Sequence, residues 1–148
     1  MPRLFFLLFS VFSVVLGGLN FTHAAEKITF LDKSSLKQSV LNTLEGHSFS
    51  ALAFVDLNQD GLDDYILQSR DSGTHSTFTI IARSNDKLTT LGIIQAHSLM
   101  VSHKREDGVR NILAYQNDIN DFEHEVYRWD INSLRYIDTR VRPESEAL

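Results

Sequence analysis

The chain reads as mainly β: two antiparallel, four-stranded, blade-like repeats carrying one N-terminal helix. Three observations predict this. After Gly46 the sequence consists of short β-branched and aromatic runs separated by turn residues, the pattern of an all-β domain. The second half can be laid on the first at a constant offset of 47 residues. A single stretch, Ser34 to Glu45, has apolar residues at helical spacing.

The elements follow in order. In Ser34–Glu45, Leu36, Val40, Leu41 and Leu44 share one face, Asp32 or Ser34 can cap the start, and Gly46 can end the helix. Its expected role is to cover one face of a sheet. Strands are expected at 50–55, at 65–68, at Thr77–Ala82 and at Leu88–Gln95, with a turn through Ser84-Asn85-Asp86-Lys87. The second copy supplies a hairpin around Val101–Ala114, then Glu125–Trp129, a turn at Asp130-Ile131-Asn132, and Leu134–Asp138. The repeats occupy about 50–97 and 98–140. A period near 45 suits blade repeats, but two units are too few to close a propeller, so a compact pair of sheets is expected. Tyr115, Phe122, Tyr127, Trp129 and Tyr136 suit cross-strand packing. The tail from Thr139 to Leu148 is polar and expected to fray.

Residues 1–24 read as a secretory signal peptide, with 25–148 forming one β-rich domain. Arg3 precedes an apolar run from Leu4 to Leu16, Gly17 and Gly18 break the run, and small residues at Ala24 and Ala25 suit signal peptidase. The run falls short of the roughly 20 apolar residues that span a bilayer, so no stable membrane insertion is expected after cleavage. The absence of cysteine leaves no lipid attachment site and no disulfide. The expected location is therefore periplasmic or secreted, in a chain that must be held together by other means, a metal among them. The net charge of −5 gives no broad basic face, which argues against a nucleic-acid partner.

One segment carries chemistry: Asp56-Leu57-Asn58-Gln59-Asp60-Gly61-Leu62-Asp63-Asp64. Oxygen-bearing side chains fall at loop positions 1, 3, 5 and 9, as Asp56, Asn58, Asp60 and Asp64. Gly61 sits where a sharp turn needs positive φ, and that turn returns the carbonyl of Leu62 toward the same centre. Hard oxygen donors in this number suit Ca²⁺ better than Mg²⁺, and the absence of Cys and of clustered His disfavours softer metals. Four carboxylates in nine residues repel one another unless a cation offsets them. The competing reading is a metal-free hairpin turn built from Asx and Asp-Gly chemistry. An EF-hand does not fit, because Leu67 stands at position 12 and the flanks read as strands.

The string Phe54-Val55-Asp56-Leu57-Asn58-Gln59-Asp60-Gly61-Leu62-Asp63-Asp64-Tyr65-Ile66-Leu67 resembles the FG-GAP or VCBS type of repeat, in which a D-x-N-x-D-G-x-x-D loop joins two β-strands. The resemblance implies Ca²⁺ held by Asp56, Asn58, Asp60, the Leu62 carbonyl and Asp64. In the second copy His103, Arg105, Asp107 and Asn111 stand at the ligand positions, and Lys104 and Arg105 supply charge of their own, so no metal is expected there.

No catalytic set is expected. There is no G-x-S-x-G, H-E-x-x-H, P-loop or G-x-G-x-x-G. His47, His75, His97, His103 and His124 are scattered, and Asp118, Asp121, Glu123 and Glu125 read as an acidic loop rather than a glycosidase pair. The expected function is an exported, non-enzymatic β-domain with a structural Ca²⁺ loop. It would bind a protein or glycan partner in the cell envelope, an inhibitor or immunity-type role being the most concrete version. The alternative is a Ca²⁺-dependent hydrolase acting on envelope polymers.

Overall fold

The computed structural model describes residues 25–70, 73–84, 87–117 and 123–140. The signal-peptide reading of 1–24, the centre of the turn at Asn85-Asp86, the acidic residues Asp118 and Asp121, Phe122 and the end of the tail all lie outside the described residues.

Among the described residues, ten strands form two antiparallel five-stranded sheets. In chain order they are β1 (Ala25–Lys27), β2 (Leu31–Asp32), β3 (Ala51–Val55), β4 (Asp64–Arg70), β5 (Ser76–Ser84), β6 (Lys87–Ala96), β7 (Ser98–Glu106), β8 (Val109–Tyr115), β9 (Glu125–Asp130) and β10 (Arg135–Asp138). The first sheet runs β2-β3-β4-β5-β6 and the second β1-β7-β8-β9-β10. Each therefore has one strand more than the four expected. The N-terminal segment supplies the extra strands: Leu31 pairs with Leu52 on the first sheet, and Ala25 pairs with Ser102 on the second. Strands of two and three residues are too short to show an alternating pattern, so the sequence did not announce them.

Between β1 and β2 the chain crosses from one sheet to the other. Ile28 is buried on the way, and Phe30 packs on Phe78 with ring centroids 5.6 Å apart. The main core lies between the sheets and includes Ala53, Ile66, Phe78, Ile80, Ile94, Val101 and Ile112. Gly92 lies close against β10, where an added Cβ would lie 3.3 Å from the Cβ of Tyr136.

The first sheet is covered on both faces. Leu52, Tyr65, Leu67 and Ile81 point away from the main core and are buried with Leu44 and Phe49, against Leu36, Val40 and Leu41. A bulge between Ile80 and Ile81 changes the β5–β6 register; both side chains are buried, one in each core. The expected helix is present in this covering role, but its span is corrected. Lys33–Ser35 forms a 3-10 turn, Leu36 is extended, and α1 is confined to Gln38–Thr43. Asp32 caps the 3-10 turn, accepting from Ser34 N at 2.9 Å, whereas Lys37 at the start of α1 offers no side-chain cap. Gly46, at φ +88°, follows the helix in the left-handed conformation that ends such segments. Among the described residues no helix is long and apolar enough to cross a membrane.

Candidate metal centre at the β3–β4 turn

The turn Asp56–Asp63 joins β3 to β4. Leu57 anchors it: its side chain is fully buried in the main core, and its carbonyl accepts from Arg110 N at 2.9 Å. Beyond Leu57 the chain rises into solvent, with Asn58, Gln59, Asp60, Gly61, Leu62 and Asp63 all exposed. Gln59 and Gly61 adopt positive φ, at +58° and +82°. Gly61 is thus the residue that the reversal requires, since the left-handed region carries no Cβ penalty there.

Side chains hold the turn to itself. Asp56 Oδ2 accepts from Gly61 N at 3.1 Å, Asn58 Oδ1 from Asp60 N at 3.1 Å, and Asp60 Oδ1 from Leu62 N at 2.8 Å. Asn58 Nδ2 donates to Asp60 Oδ2 at 3.0 Å. Asp56, Asn58 and Asp60 are therefore linked by hydrogen bonds within one turn. Asp56 is half-buried, and its Oδ1 is screened from solvent without a hydrogen-bond partner.

Asp64 stands apart from these three. It is 1% exposed, and its two oxygens accept from Leu57 N and from Arg83 N, each at 3.0 Å. Burial pushes its carboxyl above the usual range, the two backbone donors pull it down, and the charges of Asp60 and Asp56 push it up again. In this arrangement Asp64 clamps both ends of the turn and the adjacent strand β5. Sequence spacing marked Asp64 as a ligand but not as a clamp, because Arg83 is brought beside it only by the β4–β5 pairing.

Asp56 Oδ1 is an unpaired buried oxygen, and Asn58 and Asp60 carry further oxygens on the same turn, whereas both Asp64 oxygens already accept from backbone N–H groups. That chemistry fits a hard cation such as Ca²⁺. Among the described residues no three His, Asp or Glu side chains form a ready metal cluster, so the fit depends on the Asn58 amide, a backbone carbonyl and water as well as carboxylates.

The residues 47 positions further on, expected as a second copy, fall on β7, its turn and β8. His103 and Arg105 are exposed on β7, Asp107 lies in the turn, and Asn111 is buried on β8. Here the strands run on to a tight reversal, Asp107-Gly108, with φ of +50° and +82°. Positive φ at two successive residues is the geometry of a type I′ hairpin.

Three of the histidines contact neighbouring segments. His75 Nε2 lies 3.1 Å from the carbonyl of Gln116, His97 Nδ1 lies 3.1 Å from that of Thr74, and the His124 ring packs on Tyr115 at 5.3 Å. Of the acidic loop, Glu123 is exposed while Glu125 pairs with Arg140 at 2.8 Å and accepts from Tyr127 Oη at 3.3 Å. Burial, followed by the charges of Glu125 and Asp138, pushes the Tyr127 phenol up to about 12.

Comparison with protein-family models, with curated proteins and with solved structures finds no match for this chain.

Proposed function

We propose that this chain is an exported, non-enzymatic β-domain in which one Ca²⁺ orders the turn at Asp56–Asp64, and whose folded surface binds a protein or glycan partner in the cell envelope. The observation that carries the reading is Asp56 Oδ1, a carboxylate oxygen out of reach of water and without a donor. A buried acceptor left unmade is costly, and a divalent cation among Asp56, Asn58, Asp60, the Leu62 carbonyl and Asp64 removes that cost. Such a cation binds the folded state alone and stabilises it by mass action. Extracellular modules need only about 10⁻⁴–10⁻³ M affinity for this.

The FG-GAP or VCBS likeness enters here as support. So does the pairing across the two hairpins: Phe54 faces Tyr65 across β3 and β4, and Val101 faces Ile112 across β7 and β8, each member displaced by 47. We read the two halves as degenerate four-strand repeats, each extended by an N-terminal edge strand. Residues 1–24 supply the export signal in this reading.

The test is thermal. Melting of the purified protein should shift upward in millimolar Ca²⁺, stay unchanged in Mg²⁺, and return on chelation. Asp60→Ala should abolish the shift, and in chelator should cost only the exposed turn hydrogen bonds from Leu62 N and Asn58 Nδ2, about 0.5–1.5 kcal/mol each at most. Identical melting curves with Ca²⁺ and with chelator would remove the metal from the reading.

A further inference from the structure

The outer face of the second sheet holds a cavity of about 640 Å³, within the range of small-ligand sites. Met100, Leu113, Tyr115 and Val126 give it apolar walls. Two polar residues from neighbouring strands are set among them: Ser102 on β7, 4% exposed, and Asn111 on β8, 2% exposed. Asn111 Oδ1 is buried without a partner, and its Nδ2 reaches only Glu106 Oε1, at 3.5 Å. Ser102 Oγ accepts from Lys104 N at 3.0 Å and keeps its own proton to donate. An unmet acceptor and a spare donor among the residues lining one largely apolar cavity are the complement of a secondary amide.

The surroundings narrow the class. The backbone of β7 and β8 is committed to sheet pairing, so an extended peptide, which binds by adding to a sheet edge, finds no main-chain partners on this face. A compact ligand read by side chains does. At one rim Lys104 and Arg128 lean on Glu106 at 3.6 and 3.7 Å. Their charged heads supply donors and acceptors for ligand hydroxyls at that rim, and the opposed charges select against no neutral ring.

We propose that this cavity binds a compact N-acetylated sugar, whose acetamido N–H donates to Asn111 Oδ1, whose carbonyl accepts from Ser102 Oγ, and whose methyl rests on the apolar wall. This deepens the glycan arm of the proposed function and does not rest on its calcium arm.

Calorimetric titration of the purified protein with diacetylchitobiose, cellobiose and an N-acetylated alanine dipeptide tests it, in calcium and in chelator. A site built to pair an amide rejects the analogue that lacks it, so diacetylchitobiose should bind at least about tenfold more tightly than cellobiose, and more tightly than the dipeptide, which carries the acetamide but no ring hydroxyls for the charged rim. Ser102→Ala should weaken binding. Val126→Trp, which fills the cavity from a half-buried position, should abolish it with circular dichroism unchanged. Equal affinity for cellobiose, preference for the dipeptide, or no binding at millimolar sugar would overturn the inference. Sugar binding without a Ca²⁺ shift in melting would leave this cavity standing and the metal reading not; a Ca²⁺ shift without sugar binding would do the reverse.

Discussion

Arg110 N donates to the carbonyl of Leu57 at 2.9 Å, which ties the β3–β4 turn of the first sheet to β8 of the second. Leu57 has two further roles. Its side chain is wholly buried between the sheets, and its N–H donates to Asp64 Oδ2 at 3.0 Å. The base of the turn is thus held by core packing and backbone bonds, independently of the exposed Asn58 and Asp60. Leu57→Ala should therefore cost about 2–5 kcal/mol, the range for a fully buried leucine. In urea denaturation that loss should be the same with calcium and with chelator. A loss seen only with calcium would mean that the metal, not the core, holds Leu57 in place.

Neighbouring aspartates should behave differently. Asp64→Ala leaves Leu57 N and Arg83 N without their acceptor in a buried site, and unmet buried groups cost about 1–3 kcal/mol each. Asp63 is exposed, so Asp63→Ala should stay within about 0.5 kcal/mol of the parent. Denaturation in chelator measures both without a metal contribution. Equal effects would show that Asp64 is no clamp.

What the sequence disclosed follows from how local its signals are. The strands after Gly46 were legible because each is long enough to alternate or to run apolar, and the turn was legible because Asp-Gly chemistry is local. The edge strands β1 and β2 were not, since pairing partners 77 and 21 residues away define them, as in Ala25 with Ser102 and Leu31 with Leu52. The helix was placed but overextended: apolar spacing continues through Leu36, while Asp32 stabilises a separate 3-10 turn ahead of it. The clamp by Asp64 and the cavity at Ser102 and Asn111 depend on cross-strand register, which periodicity does not specify.

Gly92 gives a packing test. An added Cβ would come within 3.3 Å of Tyr136 Cβ, an atom fixed to backbone, so β6 and β10 must part by a few tenths of an ångström. Overpacking of this kind costs about 1–3 kcal/mol. Gly73 has nothing within 4 Å of the equivalent position, so Gly73→Ala should be neutral or slightly stabilising. A neutral Gly92→Ala would show that β6 and β10 are free to separate.

Arg140 hydrogen-bonds the Asp138 carboxylate through Nε and Nη2 and pairs with Glu125 through Nη1. The hydrogen bond from Arg140 is the main cause holding the Asp138 carboxyl below the usual Asp value of 3.8; burial opposes it. Because the folded value lies below the unfolded one, the pair's contribution is complete above about pH 3.8 and disappears as pH falls through the folded value. Arg140 is largely exposed, so the effect on overall stability is small, and titration is the better readout. Carbon NMR of the Asp138 carboxyl should show a midpoint below 3.8 in the parent. In Arg140→Gln the midpoint should rise, since removing the cation removes the main stabilisation of the charged form. Tyr127 should rise with it, because the Arg140 charge is what holds that phenol down against burial and the neighbouring carboxylates. An unchanged Asp138 midpoint in the variant would show that Arg140 does not engage it in solution.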